Sequence, residues 1–282
     1  MAKLIFCHLI IVMDFVIINK KKYEIKKFSN GGNNQGYIDF DKNKIGKILF
    51  LSDYRKNNKI LDTESYSENP YREIEIHNQC NKIIKDKITT NLVKFYNYYI
   101  YNDKIILIMD KYEGDLRSII DKLTQKQLMS IFFQIIFTFI ILQDKLGFYQ
   151  GDFGPSNILY KKVNITNKYF HYTYNGIKYK VPNEGYKIFI SDYGNAIINT
   201  FIIADYEKEY YEKYLSKRIE LYEILLLLVK YINNNKKLND IIYNNIRFNL
   251  FNGNYSINID HTEPANKNYI LEDSLFYNYK NK

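Results

Sequence analysis

The sequence feature that most constrains the fold is an apolar run in the middle of the chain, Leu128 to Leu142. A helix that is apolar nearly all round must be buried, either in the core of a large fold or in a bilayer. This run is shorter than the roughly 20 residues that span a membrane. It also holds the polar side chains of Ser130 and Gln134. The run therefore predicts a buried core helix over Gln125 to Leu146, and no transmembrane span.

The size and the ends of the chain narrow the class of protein. Its 282 residues suit one large domain or two modest lobes. Cys7 and Cys80 are the only cysteines, which excludes a disulfide scaffold. The apolar start, Leu4 to Ile18, resembles a signal peptide, but Asp14 and the lack of a cleavage motif favour a strand covering a sheet, or upstream residues before a true start at Met13. We expect an intracellular, cytoplasmic protein.

The charge raises the question of a polyanionic partner. The chain has 40 Lys plus Arg against 31 Asp plus Glu, a net charge of +9. Only five of these cations are arginines, and the lysines are scattered in pairs. Scattered lysines are typical of a solvated surface, whereas phosphate and base recognition favours arginine. Nucleic acid is therefore not expected to be the main partner.

The first part of the chain is rich in predicted strands. Residues 23–51 form three strands around a glycine-rich turn and a tight turn at Asp41 to Asn43. Pro70 then begins a helix, and two strands follow, ending near Tyr112. We predict a β-rich lobe with one main helix over 23–112, preceded by an apolar extension over 1–22.

From Asp115 onward the pattern favours helices. We predict helices over Leu116 to Lys122, Gln125 to Leu146 and Glu207 to Asn233. Short strands and loops occupy 147–200. The predicted fold class is therefore α+β, with a second, mostly helical lobe over 113–282. A cleft between two lobes is a common place for a ligand site.

Two short segments carry chemistry that fits such a cleft. The first is DFGPSN, residues 152–157, in which a carboxylate and a carboxamide lie five positions apart on a predicted loop. The second is FISDYGN, residues 189–195, an apolar strand that ends in Asp192. An aspartate there is well placed to hold a hard cation such as Mg²⁺ through oxygen. Each segment alone is also an ordinary turn signal.

Their order resembles the catalytic loop and metal loop of the eukaryotic protein-kinase superfamily. Further motifs of the family precede them in the family's order. These are the glycine-rich GGNNQGYI (31–38), the strand KIGKILF (44–50), the helix segment REIEI (72–76), the strand entry NLVKFY (91–96) and the hinge KIILIMDKYEGDL (104–116). The resemblance covers about residues 23–230 and implies a bilobal protein-kinase-like fold.

The resemblance also implies an ATP site. Lys47 corresponds to the lysine that holds the α and β phosphates, and Glu73 to the helix carboxylate that orients it, with Glu75 as the alternative. Gly31, Asn33 and Gly36 take the three positions of the glycine-rich loop, and Met109 the back of the adenine pocket. The complete implied nucleotide-binding set is Gly31, Gly32, Asn33, Gly36, Ile38, Lys47, Met109, Asp110 and Tyr112.

By the same resemblance, Asp152 is the base that accepts the proton of the substrate hydroxyl. Asn157 and Asp192 are the Mg²⁺ ligands, with Mn²⁺ as an alternative ion. The implied catalytic residues are thus Asp152, Lys47 and Glu73.

The chain departs from the family at several positions. Gln150 and Gly151 replace the His-Arg that usually precedes the catalytic Asp, and Gly154 replaces the lysine two residues after it. No A-P-E motif follows Asp192, and Glu220 stands where a buttressing Asp is usual. We expect slowed or altered catalysis, and no activation by phosphorylation of an activation segment.

A predicted hairpin of about residues 163–188 is inserted before the metal loop. A similar insert occurs in haspin-like kinases and in kinase-like proteins of poxviruses and giant DNA viruses. Together with a composition rich in residues with A/T-type codons, it favours a large DNA virus as the source, and hence the host cytoplasm or the virion as the location.

The sequence-based expectation is an ATP- and Mg²⁺-dependent serine/threonine-protein kinase, a monomer acting on a protein substrate. Two alternatives stay open at this point. One is a pseudokinase that serves as a binding scaffold, and the other is a small-molecule phosphotransferase of the same fold.

Overall fold

The structure is a computed structural model that describes residues 10–12, 15–18, 21–27, 36–50, 70–101 and 104–200. Within these residues the fold is α+β, as predicted. Some predictions lie outside the described residues: the glycine-rich positions Gly31, Gly32 and Asn33, the helix over 207–233, and Glu220.

The larger sheet has seven antiparallel strands in the order β1-β2-β3-β4-β5-β7-β6. They are β1 (Ile10–Val12), β2 (Phe15–Ile18), β3 (Lys21–Lys27), β4 (Gly36–Asp39), β5 (Lys44–Phe50), β6 (Phe95–Tyr101) and β7 (Lys104–Asp110). The described part of the apolar extension thus forms two strands of the same sheet, in which β1 pairs with β2 and β2 pairs with β3. Between β4 and β5 the Asn43 amide donates to Asp41 Oδ1 at 2.7 Å, which closes the predicted tight turn.

Strand β7 lies at the centre of the packing. Its continuous apolar sequence, IILIM, is typical of a strand buried on both faces. On one face Leu107 packs with Ile74 of helix α1 (Pro70–Lys85), and on the other Ile106 packs with Ile48. Because side chains alternate along a strand, the two faces belong to two separate apolar clusters.

The apolar run forms helix α2 (Gln125–Leu146), with the bounds predicted from the sequence. Thr124 and Gln127 form a reciprocal capping box at its start. Gly147 ends it in the left-handed conformation, with φ of 63°. Among the described helices, α2 alone is long and apolar enough to cross a membrane, and 83% of its most apolar window is buried inside the fold.

The segment before α2 differs from the prediction. The helix expected over Leu116 to Lys122 is instead two 3₁₀ turns, Leu116–Ser118 and Ile120–Lys122. Asp115 caps the first turn by accepting the Ser118 amide at 2.9 Å. Seven residues are too few to offset the cost of nucleating an isolated α-helix, so the shorter turn prevails.

Short strands lie on either side of α2 in the chain. β8 (Gly114–Asp115), β9 (Ile158–Lys162) and β12 (Tyr186–Ile190) form a three-stranded sheet in the order β12-β9-β8. β10 (Tyr169–Tyr174) and β11 (Ile177–Pro182) form a hairpin within the predicted insert. The rings of Tyr172 and Tyr179 pack against Phe133 and Phe137 of α2, so the hairpin shares the core of the helix.

A buried polar network joins these elements to Asn91, in the segment between α1 and β6. Asn91 Nδ2 donates to Gln134 Oε1 at 3.0 Å and to the Ile188 carbonyl at 2.8 Å, and Tyr172 Oη donates to Asn91 Oδ1 at 3.0 Å. Gln134 Nε2 donates in turn to the Tyr186 carbonyl at 3.1 Å. The polar residues within the apolar helix run are therefore paired, as buried polar groups must be.

This network generates a stability prediction. Asn91→Leu should lower the free energy of unfolding by about 3 kcal/mol, because it leaves the buried Tyr172 hydroxyl without its acceptor and removes the donor to the Ile188 carbonyl and to Gln134 Oε1. Urea unfolding with an unchanged m-value would measure the loss. Asn167→Ala, at an exposed position of the loop between β9 and β10, should change the free energy by less than about 0.5 kcal/mol. Equal values for the two variants would contradict the assigned role of the network.

Candidate active site

Three separate elements bring charged side chains to one place. Lys47 comes from the middle of β5, Glu73 from the first turn of α1, and Asp192 from the residues after β12. Lys47 Nζ lies 3.0 Å from Glu73 Oε1 and 2.7 Å from Asp192 Oδ1. Lys47 is paired with Leu107 across the ladder, on the face of the sheet that α1 covers. One ammonium group thus bridges two carboxylates that are distant in sequence.

Burial and charge act in opposite directions on this cluster. Burial alone would lower the pKa of Lys47, but the attraction of Asp192 and Glu73 outweighs it and raises that pKa above the usual value. Burial alone would raise the pKa of Glu73, but Lys47 and, one turn along α1, His77 together outweigh it and lower that pKa to about 2. Lys47 and Glu73 are therefore ionised at neutral pH, and with Asp192 the cluster has a formal charge of −1.

The structure distinguishes between the two carboxylates considered for α1. Glu73 contacts Lys47 and is almost fully buried. Glu75 instead accepts a hydrogen bond from Gln79 Nε2, one turn further along the same helix. Residues two positions apart on a helix are related by a rotation of about 200° around its axis. The two carboxylates therefore lie on nearly opposite sides of the helix and cannot both face the sheet.

Asp192 has a strained backbone that the surrounding structure stabilises. Its φ is +59°, a conformation uncommon for residues other than glycine. Gln150 Nε2 donates to the carbonyls of Ser191 at 2.9 Å and of Asp192 at 2.6 Å. Tyr193 packs edge-on against the His77 ring of α1, with centroids 4.8 Å apart. Local strain of this kind is concentrated at functional sites.

Gln150 belongs to the site, but the sequence analysis did not identify it as a site residue. It was noted only as a departure from the family motif, and its buried position and two backbone contacts depend on the fold. Gly151, which follows it, has a φ of +75°, and a Cβ there would come within 2.5 Å of the Asn195 carbonyl oxygen. Gly151 therefore fits tightly against the segment 189–195.

Asp152 and Asn157 lie together on the loop before β9. Asn157 Nδ2 donates to the Asp152 carbonyl at 2.7 Å, with Asp152 Oδ2 at 3.4 Å. The Ser191 amide and hydroxyl both donate to the Asn157 carbonyl at 2.9 Å. Since Ile158 pairs with Ile190, the ladder places Asn157 opposite Ser191 and next to Asp192. The two segments predicted to carry chemistry are thus hydrogen-bonded neighbours.

The donor atoms here suit a hard cation. Asp192 offers a partly exposed carboxylate, and Asn157 an amide oxygen that no donor in the described part of the chain occupies. The same part of the chain contains no group of three or more His, Cys, Asp or Glu side chains placed to hold a metal. Two oxygen donors fit Mg²⁺, which is usually held by one or two protein carboxylates together with substrate phosphates and water.

The predicted nucleotide-binding residues divide between the two faces of the sheet. Met109 lies on the same face as Lys47, in the cluster beneath α1. Ile38 does not, because its ladder partner is Gly46 and its fully buried side chain packs with Ile48 on the opposite face. Ile38 therefore does not face Lys47, and Tyr37, the ladder partner of Lys47, has that position.

Two of the backbone amides in the predicted hinge, residues 110–112, are hydrogen-bonded within the fold. The Asp110 amide donates to the Lys94 carbonyl at 3.0 Å, and the Lys111 amide to the Asn43 carbonyl at 2.7 Å. Among the backbone amides of 110–112, that of Tyr112 alone has no backbone acceptor in the described residues.

Gly36, at the start of β4, is packed so closely that a Cβ would lie 2.9 Å from Ile25 Cγ2.

No protein-family model and no curated protein matches the chain. The function is therefore inferred from the geometry of the site and from the order of its motifs.

The cluster generates a prediction about pH. Lys47→Met should lower the free energy of unfolding by about 3–5 kcal/mol at pH 7.5, because Glu73 loses its buried partner. In the native protein, the Glu73 pKa lies below its unfolded value of about 4.3, so its stabilising contribution is present above that pH and is lost as the pH falls toward 2. In the variant, burial raises the Glu73 pKa instead.

The difference between wild type and Lys47→Met should therefore be smaller at pH 4 than at pH 7.5, and urea unfolding at both values would measure it. Lys85→Met, on the exposed side of α1, is the matched control and should show little effect at either pH. A Lys47→Met loss of equal size at both pH values would contradict the assigned charge state of Glu73.

Proposed function

We propose that the chain is a protein kinase of the eukaryotic superfamily, which uses ATP and Mg²⁺ to phosphorylate serine or threonine hydroxyls of a protein substrate. The observation that carries this proposal is the buried Lys47 held between Glu73 and Asp192. Asp152 and Asn157 lie on a loop hydrogen-bonded to the same segment. Phosphoryl transfer requires mainly positioning and stabilisation of charge, which such a site supplies.

Each group has a distinct role in this proposal. Lys47, oriented by Glu73, holds the α and β phosphates of the nucleotide. Asp192 and Asn157 hold Mg²⁺, which when bound neutralises negative charge on the phosphate oxygens. Asp152 orients the acceptor hydroxyl and takes its proton, and its exposed position leaves it accessible to a protein substrate.

The proposed reaction is a direct transfer. The acceptor oxygen forms a bond to the γ-phosphorus while the bond from that phosphorus to the β,γ-bridging oxygen breaks. The bridging oxygen keeps the electron pair and leaves as part of ADP. The hydroxyl proton passes to Asp152.

The bilobal architecture is part of the same proposal. Residues 23–112 would form the N-terminal lobe and 113–282 the C-terminal lobe. The described residues support this division, because separate apolar clusters lie around β7 and around α2.

A pseudokinase is the second candidate, and one observation favours it. The loop QGDFGPSN, residues 150–157, contains a carboxylate but no cation to bind a terminal phosphate. A binding scaffold would tolerate this loss, whereas an active kinase must obtain the positive charge from another element.

Substitution of the acidic residues tests the proposed function. Asp152→Asn should lower phosphate transfer from radiolabelled ATP by at least about 100-fold while nucleotide affinity is retained, because it removes only the base. Asp192→Asn should abolish the enhancement of nucleotide binding by Mg²⁺. Calorimetric titration and phosphate incorporation into generic acceptors would measure both effects.

Asp86→Asn, an exposed aspartate at the end of α1, is the control and should behave as wild type. The kinase proposal fails if both active-site variants transfer phosphate at the wild-type rate. Nucleotide binding by a wild-type protein that transfers no phosphate, with either Mg²⁺ or Mn²⁺, would favour the pseudokinase instead.

A further inference from the structure

The loop 150–157 contributes no cation to the proposed phosphate site. Lys47 is already engaged by two carboxylates, and the three groups together carry a net charge of −1. Residues 150–157 add Asp152 and no positive charge. A terminal phosphate entering this site would meet an excess of negative charge unless another side chain, besides the metal, offsets it.

Arg117 is the cation that reaches this loop. Its Nη2 donates to Ser156 Oγ at 3.3 Å, and Ser156 immediately precedes Asn157. The guanidinium is exposed, and no carboxylate in the described part of the chain lies within ion-pair distance of it. It therefore has hydrogen-bond donors and a full charge to offer to a ligand.

The position of Arg117 is defined by a short, well-anchored turn. The Ser118 amide and hydroxyl both bond to Asp115, at 2.9 and 2.6 Å, which fixes the 3₁₀ turn Leu116–Ser118. This turn packs against the turn Pro155–Asn157 of the catalytic loop. Arg117 is thus held beside the loop by backbone geometry, and only its side chain is free to adjust.

Gly154 shows how close the guanidinium comes to the reacting region. A Cβ built on Gly154 would lie 3.7 Å from Ser156 Oγ, the same hydroxyl that Arg117 contacts. Arg117 Nη2 and that Cβ position therefore both lie within 3.7 Å of the same oxygen, Ser156 Oγ. A Cβ at Gly154 would meet no closer atom, and its φ of −164° is extended backbone that any residue adopts.

We propose that Arg117 binds the terminal phosphate of the nucleotide and supplies the positive charge that the catalytic loop lacks. This inference rests on the proposed function and extends it, since it adds a residue that touches the transferred group. Arginine suits this role because its planar guanidinium can donate two parallel hydrogen bonds to phosphate oxygens. In the transfer, it stabilises the charge on those oxygens while Asp152 accepts the hydroxyl proton.

Comparison of ATP with ADP isolates this contact, because the two nucleotides differ only in the terminal phosphate. Arg117→Gln removes the charge but keeps a donor for Ser156. It should weaken ATP binding about tenfold and leave ADP binding unchanged, and it should lower the transfer rate by about 100-fold or more. Lys122→Gln, an exposed cation on the neighbouring 3₁₀ turn, is the matched control and should leave both nucleotide affinities unchanged.

A second variant moves the charge instead of deleting it. Arg117→Gln combined with Gly154→Lys places an ammonium beside the same serine hydroxyl and should recover at least tenfold of the lost transfer rate together with the preference for ATP. Calorimetric titration of ATP and ADP with Mg²⁺, with single-turnover transfer measured in parallel, gives both readouts.

The outcomes separate this inference from the proposed function. If Arg117→Gln keeps the wild-type ratio of ATP affinity to ADP affinity, or weakens the binding of both nucleotides equally, Arg117 has only a structural role. That result overturns the inference and leaves the kinase proposal intact. Suppose instead that the wild-type protein transfers no phosphate, and that Arg117→Gln abolishes its preference for ATP over ADP. That result supports the phosphate contact and overturns the kinase proposal. A protein that binds neither nucleotide overturns both.

Discussion

The candidate site depends on a single buried ammonium group. Lys47 Nζ lies within hydrogen-bond distance of a carboxylate 26 residues away and of another 145 residues away. A lysine in such a position is stable only because the two carboxylates offset its desolvation. The sheet, helix α1 and the end of β12 must therefore be assembled together before the cluster is favourable. Removal of Lys47 would leave the buried Glu73 carboxylate without its cation.

The apolar framework holds these three elements in register. β7 is buried on both faces and pairs with β5, which fixes the face on which Lys47 lies. Helix α1 packs on that face through Ile74 and contacts the α2 core through Ile76 and Cys80. The network around Asn91 links the start of β6 to β12 and α2. A shift of one of these elements would therefore be transmitted to Asp192.

Sequence periodicity predicted the elements better than it predicted the contacts between them. Helix α2 has the predicted bounds because its apolar run and the capping residues Thr124 and Gln127 are local signals. The choice between Glu73 and Glu75 was open, since it depends on how α1 is rotated against the sheet. Ile38 was grouped with the nucleotide-binding residues, but the pairing of β4 with β5 turns its side chain to the other face. Register and rotation are set by contacts distant in sequence, and local patterns do not encode them.

The same distinction explains why Arg117 was not singled out from the sequence. The motif DFGPSN shows that a cation is missing from the loop, but the residue that reaches Ser156 belongs to a turn 39 positions earlier in the chain. Arg117 lay in a segment predicted to be a helix, where consecutive side chains point around the axis at about 100° intervals. In the observed 3₁₀ turn, capped by Asp115, it instead contacts Ser156 of the loop 150–157. A substitution within a motif is therefore best judged together with the side chains that neighbouring elements bring to the same loop.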